Sequence, residues 1–148
     1  MDRIIYTDFE GNCCIVVPSP NYQGTLLELE LSLTSRGDLL TLDEPEHVDA
    51  SEIPSDRTFR GSWKRGEQGN KIGVDMIKVK EFSHEKRRAK RNALFAPLDV
   101  KATIPSEAAQ AELDRQAIRD QDASVQNDID ASTTPEELKQ VLVNYGAI

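Results

Sequence analysis

Several groups of side chains in this 148-residue chain are of types that do chemistry. They are adjacent thiols (Cys13, Cys14), two histidines (His47, His84), one basic run (Lys86–Arg91) and many carboxylates, among them Asp43, Glu44, Glu46, Asp120, Asp122, Asp128 and Asp130. None has the spacing a reaction needs. Neighbouring residues in an extended strand point to opposite faces, and a disulfide between them is strained. The thiols are therefore expected to be reduced, one buried and one facing out, as in a reducing cytoplasm. Two Cys and two His at these separations give no zinc-ligand set. His84 has Glu85 beside it, but a general base needs a positioned partner and a pocket. His47, between Glu46 and Asp49, reads as a surface residue. The carboxylates lack the Asp/Asn/Gly rhythm of a calcium loop, and neither GxxxxGK[ST] nor GxSxG occurs. No catalytic, cofactor-binding or metal-binding residue is assigned, and no enzyme is expected.

The basic run, Lys86-Arg87-Arg88-Ala89-Lys90-Arg91, admits two readings. It is either a phosphate-binding patch or a helix face complementary to acids, on the stretch Asp43–Glu52 or on a partner protein. A net charge of −8 favours the second, because nucleic-acid affinity is driven by cationic contacts and counterion release. Arg87, Arg88 and Arg91 are accordingly candidate protein-binding residues. No apolar run approaches the roughly 18 residues of a membrane span. The opening MDRIIYTDFEG has no charged-then-apolar leader, so no secretory signal is expected.

The stretch Asp49–Trp63, DASEIPSDRTFRGSW, gathers Phe59 and the only Trp, Trp63, in a chain with 5% aromatic residues. Large aromatics require burial or a partner, so Phe59 and Trp63 are expected to anchor the surrounding domain or a partner surface. Arg57 and Arg60, beside Asp49, Glu52 and Asp56, have the spacing for forked hydrogen bonds that would fix the loop.

The elements that would position these residues fall into two halves. Arg3–Thr7 and Cys13–Val17 read as strands joined by the turn Glu10-Gly11-Asn12, with Pro18 and Pro20 ending the second. Thr25–Thr34 is ambiguous: Leu27, Leu29, Leu31 and Leu33 alternate as in a strand, while the Leu and Glu content favours a helix. Leu39–Leu42 is a short apolar run, His47–Ala50 a short strand, Lys64–Asn70 a loop or hairpin tip, and Ile72–Val74 a returning strand. Asp75 would cap a helix over Met76–Leu94. Pro97 and Pro105 would bracket a connector, and Ser106 would cap a long helix with Ala111, Ile118, Val125 and Ile129 on one stripe. Thr134-Pro135-Glu136-Glu137 opens a last helix, with Leu138, Val141, Leu142 and Tyr145 as its apolar face and Gly146 as its stop. This predicts an α+β chain: a small β-rich N-terminal domain, residues 1–74, followed by a helical region, residues 75–148. The apolar stripes of the helices are thin, which predicts burial against another chain.

RIIYTDFEGNCCIVVPSP, VDASEIPSDRTFRGSW, VDMIKVKEFSHEKRRAKRNALFAPLD and IDASTTPEELK, in that order, resemble a family of small tailed-bacteriophage proteins related to tail-fibre assembly proteins. DxxxIPxDRxFRxxW is the most specific part. The family pattern has a short helix after the PSP segment, which tips Thr25–Thr34 towards helix, although the alternating leucines depart from it. The resemblance implies a non-enzymatic tail protein that binds other tail or tail-fibre proteins. It would act as a homo-oligomer or part of a larger assembly, in the virion tail and, during assembly, the host cytoplasm. The alternatives are a tail-fibre assembly chaperone absent from the virion and, from another class, a small nucleic-acid-binding regulator.

Overall fold

The computed structural model describes residues 2–66 and 71–148. The fold is α+β, and the chain divides into two compact units, Met1–Asp75 and Met76–Ile148.

In the first unit, β1 (Arg3–Thr7) pairs antiparallel with β2 (Cys13–Val16) and with β3 (Glu46–Val48), giving the order β2-β1-β3. The hairpin closes because Asp8 organises it. Its Oδ1 accepts the Glu10 and Asn12 N–H groups at 2.9 and 2.8 Å, while Gly11 takes φ +81°, open to glycine without strain. A second pair, β4 (Trp63–Arg65) with β5 (Ile72–Val74), is also antiparallel. Lys64 and Arg65, expected in a loop, are therefore strand residues. Residues 67–70 of that expected loop lie outside the described residues.

β1 is central and has no solvent face: Ile4 and Ile5 point to opposite sides and both are fully buried. On the Ile5 side lie Val48, Trp63 and Ile72, with Cys13, Ile15, Ile53 and Val74 around them. Helix α1 (Leu26–Arg36) packs against β1. Thr25 and Glu28 form a reciprocal capping box and Gly37, at φ +76°, closes the C-terminus. This confirms the helix over the ambiguous leucines and explains their spacing: Leu26, Leu29 and Leu33 are partly buried, and Leu27 and Leu31 face outward.

The second unit is three helices: α2 (Met76–Lys101), α3 (Ala108–Ala131) and α4 (Pro135–Tyr145). α2 does not end before Pro97 as expected but runs through it to Lys101. Proline removes one backbone donor and frees the carbonyl four residues back. Ala93 and Pro97 both lie on the exposed face of the helix, where a freed carbonyl is not desolvated, while buried Leu98 holds the following turn. Ser106 does not cap α3. Its N-cap is Glu107, without a side-chain cap, and the Ile104 carbonyl takes the N–H groups of Glu107 and Ala108, each at 2.9 Å. α4 begins with the Thr134–Glu137 capping box and Pro135 and ends at Gly146, as its sequence dictates. Val79 (α2), Val125 and Ile129 (α3) and Leu138 and Leu142 (α4) form the buried seam.

Trp63→Ala and Phe59→Ala each remove a buried aromatic from the first unit. Each is expected to lower its unfolding free energy by about 3–5 kcal/mol, read as an earlier midpoint in denaturant titration followed by near-UV circular dichroism.

Candidate functional site

The four residues singled out in Asp49–Trp63 separate cleanly. Trp63 packs with Ile5, Val48 and Ile72 in the core of the first unit, and Phe59 is buried as well, so neither aromatic is a free surface anchor. Arg57 and Arg60 are exposed, and among the described residues their guanidinium groups make no hydrogen bond or ion pair. The forked pairing expected of them does not form, because the acids beside them bond to their own turns. Asp49 Oδ1 accepts the Ser51 N–H and hydroxyl at 2.8 and 2.6 Å, and Asp56 Oδ1 accepts those of Thr58 at 2.9 and 2.7 Å. Those short-range bonds leave the two arginines on the surface as free cations.

The arginine that fixes this unit is Arg65. It follows Trp63 by two on β4 and so shares its inward face. Nη1 donates to the Ile5 and Glu44 carbonyls and to Asp43 Oδ2, each at 3.3 Å, and Nη2 donates to Glu46 Oε2 at 2.8 Å. Lys71 donates to the other oxygen of Glu46. Asp43 also receives the Thr7 N–H at 2.8 Å and the Thr7 and Thr41 hydroxyls at 2.5 and 3.0 Å. Burial works to raise the Asp43 carboxyl, but these donors outweigh it and hold the group below its ordinary value. The Lys71 hydrogen bond, with Arg65, likewise holds Glu46 low against its partial burial. Asp43 and Glu46 are thus spent on Arg65 and Lys71, while Asp49 and Glu52 close their own turn.

The basic run is also spent within its own unit, and it is not a uniform solvated face. Arg87 and Asp122, each 5% exposed, form an ion pair between α2 and α3. Arg91, one turn on, reaches the same Oδ2 at 3.2 Å, and the Tyr145 hydroxyl from α4 reaches Oδ1 at 3.5 Å. One carboxylate therefore joins all three helices. Lys86 lies 5.2 Å from the Phe82 ring centroid. Lys90 Nζ is 3.6 Å from where a Gly146 Cβ would stand, placing a cation at the negative end of α4. Arg88 alone of the three candidate arginines is exposed. His84 Nε2 meets Asp130 Oδ1 at 2.9 Å, and His47 Nε2 meets Glu30 Oε2 at 2.7 Å, so each histidine ties one element to another.

Cys13 faces the core and Cys14 the other side of β2, both partly buried. Burial pushes the Cys13 thiol up to about 11, so at neutral pH it is protonated and a poor nucleophile. Among the described residues no group of three or more His, Cys, Asp or Glu is placed to hold a metal ion. Among the described residues no helix is long and apolar enough to cross a membrane.

Set against known protein families, curated proteins and solved structures, the chain matches none. Two polar clusters, centred on Arg65 and on Asp122, hold the two units. Large apolar side chains, including Leu27, Leu31, Leu42 and Leu113, stand in solvent. Asp122 was legible in principle: it falls four residues after Ile118 and three before Val125, inside the apolar stripe of α3.

Asp122→Ala leaves Arg87 buried without a counter-charge and should cost about 3–5 kcal/mol, whereas Arg87→Met with Asp122→Leu should stay close to the parent. Thermal melts at 222 nm distinguish the two. Asp43 and Glu46 have folded values below their unfolded ones. Their contribution is thus complete above roughly pH 4.5 and lost as pH falls through the lower folded values. Denaturant titrations from pH 6 to pH 2 should show this fall in the parent and a flatter profile in Lys71→Met, which removes the leading cause at Glu46.

Proposed function

We propose that this chain is a non-enzymatic bacteriophage tail protein, a virion component that binds other tail or tail-fibre proteins. The observation that carries the reading is the division of labour among its side chains. The charged clusters serve folding, while apolar residues are left outward on well-capped helices. α1 is the clearest case: both ends are capped, no residue is fully buried, and Leu27 and Leu31 are 57% and 60% exposed. A soluble chain with contiguous outward leucines on a rigid helix has the ingredients of a protein-docking face. The resemblance of four ordered segments to small tail proteins supplies the biological setting.

A nucleic-acid role is less well supported. Arg87 and Arg91 already hold Asp122, which leaves Arg88, Lys86 and Lys90 as the remaining cations of the run, in a chain of net charge −8. An assembly chaperone would use the same docking faces as a tail component and differ in leaving before maturation.

Quantitative mass spectrometry of purified virions from the producing phage tests the reading. A fixed copy number relative to the major tail protein is expected. Presence in tail-assembly intermediates with absence from virions would assign the chaperone role, and absence from both would overturn the proposal.

A further inference from the structure

The three-stranded sheet ends at β2, and the direction of its backbone groups follows from its neighbours. Thr7 of β1 donates its N–H to Asp43 and accepts from the Leu42 N–H, each at 2.8 Å, and the Ile5 carbonyl accepts from Arg65. Asp8, next along the chain, donates to the Asn12 carbonyl at 3.0 Å. Odd residues of β1 therefore turn their backbone groups towards the β3 side, and even ones towards β2. In the register Tyr6↔Cys14 and Ile4↔Val16, it is Cys14 and Val16 that bond to β1. Cys13 and Ile15 then point theirs away from the sheet. So does Val17, which the following Pro18 keeps extended. Among the described residues, nothing bonds to the N–H groups or carbonyls of these three.

An open edge is a template for another strand, and natural sheets blunt theirs with charges, prolines or bulges. The β3 edge is blunted: it turns only His47 outward, between Glu46 and Asp49. Residues 13–17 carry no charge and no proline, and Val17 is 60% exposed. The open run also has fixed limits. Pro18 and Pro20 stop a ladder on one side, and on the other the Asn12 N–H is already bonded to Asp8. What fits is an uncharged strand of this length with outward groups on three alternate residues. β2 itself meets that description. Set antiparallel about a two-fold axis at Ile15, two copies place Ile15 against Ile15 and Cys13 against Val17, and each pair exchanges both its bonds. The same register sets Asp8 and Glu10 of one copy beside residues 18–22 of the other, a segment without charge. The acidic turns of a chain with net charge −8 are thereby kept apart.

We propose that β2 is a dimerisation edge: it pairs antiparallel with β2 of a second copy about Ile15, joining the two three-stranded sheets into one. The contact is isologous and uses up the edge on both copies, so association closes at the dimer. It concerns this chain alone and stands or falls apart from the tail reading. A ladder of this length is a small interface, so dimerisation is concentration-dependent.

Amide hydrogen exchange followed by NMR on the full chain, at about 20 µM and about 500 µM, reads the edge residue by residue. The Cys13, Ile15 and Val17 amides should gain protection as concentration rises, while those of Cys14 and Val16, bonded to β1 throughout, should be slow at both. Light scattering over the same range should show mass rising from monomer to dimer and no further. Val17→Pro removes a donor that has no partner within the single chain. It should keep the parent's thermal midpoint at low concentration and raise the half-dimer concentration by about tenfold or more. If that variant melts earlier than the parent, the exchange pattern of the parent decides alone. A folded Val17→Pro that dimerises as the parent does, mass that grows past the dimer, or protection gained elsewhere without Cys13, Ile15 and Val17 would overturn the proposal. A parent that stays monomeric at the higher concentration would overturn it too, and leave the edge to an extended segment of another protein.

Discussion

One carboxylate holds the helical unit together. Asp122 is buried among Arg87, Arg91 and Tyr145, and those four side chains come from all three helices. A seam made only of Val79, Val125, Ile129, Leu138 and Leu142 would bury enough apolar surface to associate the helices but would tolerate sliding by a turn, since one aliphatic residue replaces another at little cost. A buried charge does not slide, because any shift strands it without its partner. The ion pair sets the register of α2 against α3, and Tyr145, the last residue before the Gly146 stop, brings the end of α4 level with it.

The first unit solves a related problem by other means. Its strands are three to five residues long, and such short ladders hold little by themselves. Arg65 compensates. A single planar guanidinium accepts no bonds and offers donors in a fixed fork, so from β4 it can gather carbonyl and carboxylate oxygens of β1, of β3 and of the segment before β3, with none of which β4 pairs as a strand. Trp63, two residues before, fills the core on the same face. Apolar filling and polar fastening thus come from adjacent inward positions of one three-residue strand.

Much of this was legible in the residues. Local rules found the β1–β2 hairpin, because Asp8 and Gly11 decide that turn without help from elsewhere, and they found α4, whose Thr134 box and Gly146 stop are written in ten or so positions. They failed where distant partners decide. Pro97 reads as a terminator until Leu98 is known to be buried. Ser106 reads as a cap until the preceding turn is seen to serve the same N–H groups. The basic run reads as one surface because its charges are contiguous in sequence, while the helix turns consecutive residues some 100° apart and sends Arg87 inward and Arg88 outward. Arg57 and Arg60 misled for the opposite reason. Their neighbouring acids were correctly seen as bonded, but to serine and threonine groups two residues away, a shorter and cheaper closure than reaching for an arginine. Arg65, the arginine that does fasten its unit, was hidden because its acceptors lie 19 to 60 residues back along the chain.

Those separations bear on how the chain comes into being. The β1–β2 hairpin needs only the first sixteen or so residues and can close early. β3 adds its pairing after Glu46, and the Arg65 fastening cannot form until β4 exists, with the Ile5 carbonyl by then 60 residues behind. The helical unit makes its backbone hydrogen bonds within each helix, though its tertiary contacts also reach 35 to 50 residues. Synthesis delivers the N-terminus first. The β unit therefore waits on the ribosome with its central strand made but unfinished, Ile5 uncovered until the segment around Trp63 emerges.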